Sequence, residues 1–530
     1  MYINKQILDE ATRADILKPQ NLTEIDFKKD TCYTVFGAGK AGKIIASYVI
    51  NAINEKVIFC DNNTAIQDDD LNIPIYPVEK AAQIPNNIFL LGFMNNDTEK
   101  LRSAQRDLKD NGVNEDNIFV IDMASGIIDE AYSLELQKVM NMFNTIKIPI
   151  KRQLQRIEEI CFVSYGFNES KEKNITGGPS GAICMQKHHL RDCYKGIKLC
   201  YPYFDDTKEQ LLADRFPHIT DAVIKARRLG QKKQNAIYIV NDIFSAFGLF
   251  LAGVNYLLIF HAQGDIVREM VRWGTNLSEL EKKLFHDVEI TTVRYANRVL
   301  FPSIGAEKYF RESFSDELEF RTGLPLYNTI NEIPTIEPME GIVRDDSYIT
   351  FLSIGQMTVL KGMDRIPDFI KEYADYSGKK VRWICVADGV LKNQVRNQME
   401  GIMKQNRQID FVNIDSKVSH GKIFYLMNIC DVYLMLHRVS IFDFSTLEAM
   451  YNRKPIILSN ISGNDEFNKE DNIMLLEDDH DMERVGRYID NRLYFGNLNY
   501  QVYQKYFSEE PFKTRYFACM DEFIQDVEIG

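Results

Sequence analysis

The sequence predicts an α/β protein built from three parallel-sheet domains, and three observations lead there. At 530 residues and 45% apolar content the chain is too long for one ordinary domain and carries enough apolar material for several cores. A strand, a glycine turn, a helix and a second strand follow one another from residue 33, and strand–helix–strand patterns recur beyond residues 161, 236 and 348. Nothing in the chain is repeated or low in complexity.

The first unit is the clearest. Residues 33–36 read as a strand, Gly37, Gly39 and Gly42 as a G-x-G-x-x-G turn into a helix over 43–53, and 57–60 as the next strand, ending at Asp61. Glycines at this spacing allow a tight turn and close approach of a diphosphate, and Asp61 lies where a ribose-binding acid belongs. A dinucleotide or nucleotide is therefore one expectation for residues 1–150; the other is a Rossmann-like fold kept for docking or regulation without a ligand. Strands at 88–91 and 117–121 with a helix at 98–111 extend the sheet. The Tyr76-x-x-x-Lys80 spacing comes too early for the dyad of short-chain dehydrogenases, which disfavours a full oxidoreductase. Residues 126–160 read as a helical connector.

The second domain, 151–335, starts with a strand at 161–163 leading to the glycine-rich stretch Thr176, Gly177, Gly178, Pro179, Ser180, Gly181, where backbone can approach a ligand closely or simply turn. The apolar stretch 236–264 is interrupted by Asn241, Asp242 and Asn255. Such groups are costly in hydrocarbon, so the stretch reads as strand 236–240, buried helix 243–252 and strand 256–260, with His261 at the strand end. Pro325, Pro334 and Pro338 mark a hinge-like linker. The third domain, 336–530, opens with a strand at 348–353. Within it, 439–460 runs from a loop into a helix that Ser445 or Thr446 can cap, with Glu448 in the first turn and a buried strand at 455–458. Such a helix start offers N–H groups to a phosphate, and a nearby carboxylate can accept from a sugar diol; one more helix packed on a sheet is the plainer alternative. Residues 482–530 read as helices, with Phe512, Tyr516, Phe517, Met520 and Phe523 forming a core-facing stripe.

A net charge of −13 argues against a nucleic-acid partner, and the one dense basic cluster, KARRLGQKK at 225–233, reads as a solvated helix end, with contact to an anionic membrane as the alternative. Nine cysteines without a C-x-x-C pair, among them Cys60, Cys161, Cys385 and Cys430 in apolar surroundings, read as reduced core thiols. The polar opening MYINKQILDE does not resemble a signal peptide, so a cytoplasmic protein is expected.

FLSIGQMTVLKGMD (351–364), ADGVLKNQV (387–395), the stretch 439–460 and GNDEFNKEDNIMLLE (463–477) resemble the donor-binding half of glycosyltransferase family 4. TGGPSGAI (176–183), FHAQG (260–264) and a helix near 287–306 resemble its acceptor half. The resemblance covers roughly 155–530, and the first domain resembles Rossmann-like modules attached to bacterial polysaccharide-biosynthesis proteins. It implies an α/β chain of three Rossmann-like domains, the last two forming a GT-B glycosyltransferase with an interdomain cleft. The implied activity is retaining transfer from a UDP- or GDP-sugar to a glycan or lipid-linked acceptor in bacterial surface polysaccharide or glycoconjugate biosynthesis, in the cytoplasm or peripherally at the inner membrane face. No metal is implied, and Asp479-His480-Asp481 reads as a surface turn. The implied catalytic residues are His261, Lys361 and Glu448; the implied donor site comprises Gly177, Gly178, Gly181, Gln356, Lys361, Ser440, Phe442, Asp443, Phe444, Ser445, Thr446 and Glu448. Three departures stand out. Gln356 occupies the place of an Arg that with Lys361 would hold the diphosphate, leaving Arg438 or Lys187 as substitutes. Ser440 stands where the family has a sugar-contacting Glu, and Asp443 replaces a usual glycine. The rival expectation, favoured by Gln356 and Ser440, is a non-catalytic sugar-nucleotide scaffold or sensor.

Overall fold

A computed structural model describes residues 17, 20, 22, 25–53, 57–62, 73–93, 98–123, 148–165, 167, 178–204, 217–272, 275, 277–314, 318–416, 418–477 and 480–529. Gly177 and Asp479, both singled out above, and most of the expected connector lie outside them. The protein is α/β, with three sheets in which parallel pairing dominates. The first sheet lies in one compact unit and the other two together in a second, which begins at Ile148.

In the first unit β1 (Cys32–Phe36), β2 (Val57–Cys60), β3 (Ile75–Tyr76), β4 (Asn87–Leu91) and β5 (Ile118–Val120) align in the order β3-β2-β1-β4-β5, all parallel. This is the order expected of a dinucleotide-type fold. Gly42 is required by packing: a Cβ there would sit 1.7 Å from the Gly37 carbonyl oxygen.

The second sheet contains β6 (Glu159–Val163), β7 (Cys193–Tyr194), β8 (Ile197–Cys200), β9 (Ala236–Val240), β10 (Tyr256–Ile259) and β11 (Arg298–Leu300), ordered β11-β10-β9-β6-β8-β7 with only β7–β8 antiparallel. Every residue of β9 and β10 is buried, as strands covered by helices on both faces must be. Two expectations fail here. The helix anticipated near 287–306 is a helix over Glu279–Tyr295, the strand β11 and a second helix over Ile304–Arg311. The chain leaves the helix because Val299 and Leu300 bury themselves beside β10. The described part of the connector, 148–158, is irregular rather than helical; Arg152 donates its N–H to the Gly253 carbonyl at 2.8 Å, and Lys151 Nζ donates to Asn297 Oδ1 at 2.9 Å.

The third sheet contains β12 (Tyr348–Ile354), β13 (Lys380–Val386), β14 (Ile409–Ile414), β15 (Val432–Met435), β16 (Ile456–Ser459) and β17 (Met474–Leu476), ordered β14-β13-β12-β15-β16-β17. Helices Met482–Asp490 and Arg492–Val502 and the π-helical turn Tyr503–Phe507 pack onto it. The last helix, Glu509–Ile529, then leaves: Phe512, Tyr516, Cys519, Met520 and Phe523 join the core of the second sheet with Ile160, Phe162 and Ile239. Arg298 fixes its far end through Asp526, with Nε to Oδ2 at 2.5 Å. Among the described residues no helix is long and apolar enough to cross a membrane.

Removing a buried aromatic from this crossing helix should be costly. Phe523→Ala is expected to lower the unfolding free energy by about 3–5 kcal/mol in urea denaturation. Leu493→Ala, on an 80% exposed side chain of the preceding helix, should change it by under about 0.5 kcal/mol.

Candidate functional site

In the third sheet the strand order reverses between β12 and β15, and a doubly wound sheet holds ligands in the crevice beyond the carboxyl ends of the strands at that point. The loops leaving these two strands carry most of the residues expected to bind a donor. Gly362 has φ +65°, and a Cβ on it would lie 1.6 Å from the Leu436 carbonyl oxygen, so only glycine lets the first loop press against the end of β15. That approach brings Lys361 Nζ to 2.5 Å from Asp443 Oδ1. On the other side His437 Nε2 lies 2.7 Å from Asp443 Oδ2. The Asn464 amide donates to the Ser459 carbonyl at 2.9 Å and faces His437 Nδ1 at 3.5 Å. Burial holds the imidazole below its usual range. Burial pushes the Asp443 carboxyl up, but Lys361 and then His437 outweigh it and keep the group ionised well below the usual carboxylate range.

The helix after this loop is Phe444–Tyr451, two or three residues earlier than a Ser445 or Thr446 cap would give. Asp443 sits at the N-cap yet makes no capping hydrogen bond, because its carboxylate is held by Lys361 and His437. The helix start therefore keeps its N–H groups uncapped by a side chain, which suits an anion. Ser445 Oγ accepts from the Tyr433 hydroxyl at 2.7 Å, and Thr446 is buried. Glu448 falls in the second turn, not the first, and is buried; desolvation lifts its carboxyl to about 7. His420 Nδ1 lies 3.4 Å away, an ion pair only when the imidazole is charged. Ser440 is buried and its Oγ has no hydrogen-bond partner among the described residues. Phe442 stacks between Phe467 (4.3 Å) and Tyr327 (5.2 Å), and Phe444 packs against the core of the second sheet, so both rings join lobes. Backbone ties accompany them: Ser303 Oγ donates to the Ile441 carbonyl at 2.5 Å, and the Ile304 N–H donates to Glu466 Oε1 at 3.0 Å.

His261 follows β10 on the second sheet, and burial lowers its imidazole to about 4, so it is neutral near pH 7. Its Nε2 lies 3.1 Å from Asn241 Oδ1. Asn241 and Gln186 exchange amide hydrogen bonds at 2.9 and 3.0 Å, and Gln186 Nε2 also donates to the Tyr516 hydroxyl on the crossing helix at 3.0 Å. Since Asn241 Oδ1 can only accept, His261 carries its proton on Nε2 and leaves Nδ1 as a lone-pair acceptor. Gly178, with φ +76°, precedes the helix Pro179–Leu190, which contains Gly181 as a buried helical residue.

The substitute cations are engaged elsewhere. Arg438 makes a bidentate pair with Asp364 at 2.7 Å for each nitrogen, and Lys187 Nζ donates to Tyr203 at 3.2 Å. Gln356 is exposed beside the switch point. In the first unit Asp61 Oδ2 accepts from the Ala38 N–H at 2.9 Å, holding the glycine turn, while Gly39 has open space around it. Among the described residues one cluster, Glu159, Cys161 and Cys200, has metal-ligand character, and Lys233 already pairs with Glu159 there. Sequence reading missed His437 and Gln186 and gave Asn241 and Tyr516 no site role; His437 carried a signal, a histidine two residues past a buried strand like His261.

Residues 337–499 match the family model described as Glycosyl transferases group 1, a match that supports a glycosyltransferase enzyme. Among curated proteins no sequence match is significant. Similar solved structures include sucrose-phosphate synthase from Thermosynechococcus elongatus, at 13% identity over 70% of this chain and 100% of that one, with a TM-score of 0.48. Anabaena HepE in complex with UDP and glucose is 14% identical over 69% of this chain and 100% of its own, with a TM-score of 0.46. A UDP-forming trehalose-phosphate synthase from Burkholderia vietnamiensis is 8% identical over 69% and 99%, with a TM-score of 0.48.

The raised Glu448 carboxyl has a signed consequence. Its folded value of about 7 exceeds its ordinary 4.5, so the stability it allows is fully present below about pH 4.5 and is lost as pH rises through 7, on the order of 3 kcal/mol in all. Glu448→Gln is therefore expected to melt progressively higher than wild type between pH 5 and 8. A difference that stays flat over that range would show the carboxyl to be solvated.

Proposed function

We propose that the chain is a retaining glycosyltransferase that takes a sugar from a UDP- or GDP-sugar and passes it to a glycan or lipid-linked acceptor in bacterial polysaccharide or glycoconjugate assembly. The observation that carries this reading is the coincidence of the glycosyltransferase match with a switch point furnished by Lys361, Asp443, Ser440 and an uncapped helix start. In this reading the diphosphate lies over the N-terminus of the helix Phe444–Tyr451 and near the Gly355–Gly362 loop. Glu448 accepts from the ribose hydroxyls, and its burial makes each such bond count for more than it would in water. The neutral His261, with Nδ1 unprotonated, accepts from a hydroxyl of the transferred sugar, and the departing phosphate takes the acceptor's proton. The first unit serves as a nucleotide-binding or regulatory domain.

A second reading, a sugar-nucleotide sensor without turnover, is favoured by one observation: Asp443 neutralises the one cation the resemblance retains, while Gln356 replaces the other. Nucleotide release from a panel of donors separates the two, and the absence of release with every donor and acceptor extract would sink the enzyme reading.

The ion pair makes the mutational outcome unusual. Lys361→Ala is expected to weaken nucleotide binding by about tenfold or more in calorimetry, the worth of one charge-assisted contact. Asp443→Asn, which frees the ammonium for the diphosphate, should tighten it; equal affinity in wild type and both variants would remove the pair from the site. Glu448→Gln should chiefly raise the donor KM, since the ribose contact exists in ground and transition states alike.

A further inference from the structure

One cavity of the second unit lies apart from the switch point. It has a volume of about 790 Å³, within the range that holds a small organic ligand. Its walls come from the segment before β6, the end of the helix Glu279–Tyr295, residues 310–314 and 318–321, and the crossing helix. Asn297 directly precedes β11, so the cavity opens at the amino end of that edge strand, whereas His261 follows the carboxyl end of its neighbour β10.

On a chain with a net charge of −13, this cavity gathers four cations, Lys151, Arg294, Arg311 and Arg321, against two acids, Glu319 and Asp526. One of the acids is chiefly committed elsewhere, since Asp526 pairs with Arg298 outside the lining at 2.5 Å and only more loosely with Arg321, at 3.5 Å. Arg294 has no ion pair or hydrogen bond among the described residues and is exposed. The floor is aromatic, formed by Phe310, Phe314 and Phe320, with the Arg311 guanidinium lying 4.1 Å over the Phe320 ring. Cations set around an aromatic floor match a ligand with an anionic group on a body that can lie against rings.

We propose that this cavity binds a small organic phosphate, its phosphoryl group between Lys151, Arg294 and Arg321 and its body over the phenylalanines. Lys151 strengthens the assignment. Its ammonium is held half-buried with Asn297 Oδ1 as its hydrogen-bond acceptor at 2.9 Å. Burial and then the neighbouring Arg321 push its value down to about 8, with Asp526 opposing. Two cations that disfavour one another leave a place whose charge an anion completes, and a bound phosphate must pull Lys151 back to its protonated form.

The test is calorimetry at pH 8 in two buffers of different ionisation enthalpy, titrating glucose 6-phosphate, AMP and inorganic phosphate, with sedimentation of phosphatidic acid vesicles alongside. The expected result is one site per chain for an organic phosphate, tighter than for inorganic phosphate, with uptake of a fraction of a proton per ligand. Lys151→Met should abolish the proton uptake and weaken binding by about tenfold or more. Arg294→Ala, an exposed position that should fold as wild type does, should weaken binding similarly. Absence of binding by every phosphate overturns the proposal. So do binding indifferent to both variants and binding confined to vesicles, which would assign the surface to lipid headgroups. Donor turnover need not change in any arm, so failure here is distinct from failure of the glycosyltransferase reading.

Discussion

The second and third sheets are held in one unit by a helix that belongs to neither in sequence order. The helix Glu509–Ile529 arrives after the third sheet is complete and supplies the aromatic layer that the second sheet lacks. Tyr516 shows why this matters beyond stability, because its hydroxyl ends the amide chain through Gln186 and Asn241 that sets the His261 tautomer. A side chain near the end of the sequence thus determines which nitrogen of a histidine in its middle can accept a hydrogen bond. Burial makes the arrangement exacting, since each amide in the chain would cost roughly 1–3 kcal/mol if left unpaired.

Charge at the switch point follows a different logic. A phosphate site usually offers cations whose partners are water, ready to be displaced. Here Lys361 is met by Asp443, and His437 Nε2 lies close to the same carboxylate. The site is close to neutral before any ligand arrives, so a diphosphate must compete with an internal acid. Backbone N–H groups at the start of the helix Phe444–Tyr451 carry correspondingly more of the attraction, because no side chain cap competes for them.

Much of this architecture can be read from the sequence because parallel strands covered on both faces appear as short apolar runs, as β9 and β10 do, punctuated by glycine turns. The donor-side loops are legible for the same reason, since they follow such runs directly. What escaped has equally physical causes. The strand Arg298–Leu300 is three residues long, too short for any periodicity to separate it from the helices on either side. Ser445 and Thr446 are good caps in isolation, but Asp443 is drawn into position by Lys361, 82 residues away. The Gln186–Asn241 and Gln186–Tyr516 bonds span 55 and 330 residues, and no local pattern announces a contact made only in the folded core.

The π-helical turn Tyr503–Phe507 gives the chain its second crossing between the lobes, after the irregular stretch 325–347. A π turn carries one extra residue per hydrogen-bonded ring and so redirects a helix without a proline. Phe507 anchors it among Tyr327, Phe442 and Phe467, with ring centroids 5.5, 5.6 and 5.9 Å away. Both covalent crossings therefore meet at one aromatic cluster, since Tyr327 belongs to the first crossing and Phe507 to the second. Phe442, one residue from Asp443, ties this cluster to the carboxylate that pairs with Lys361.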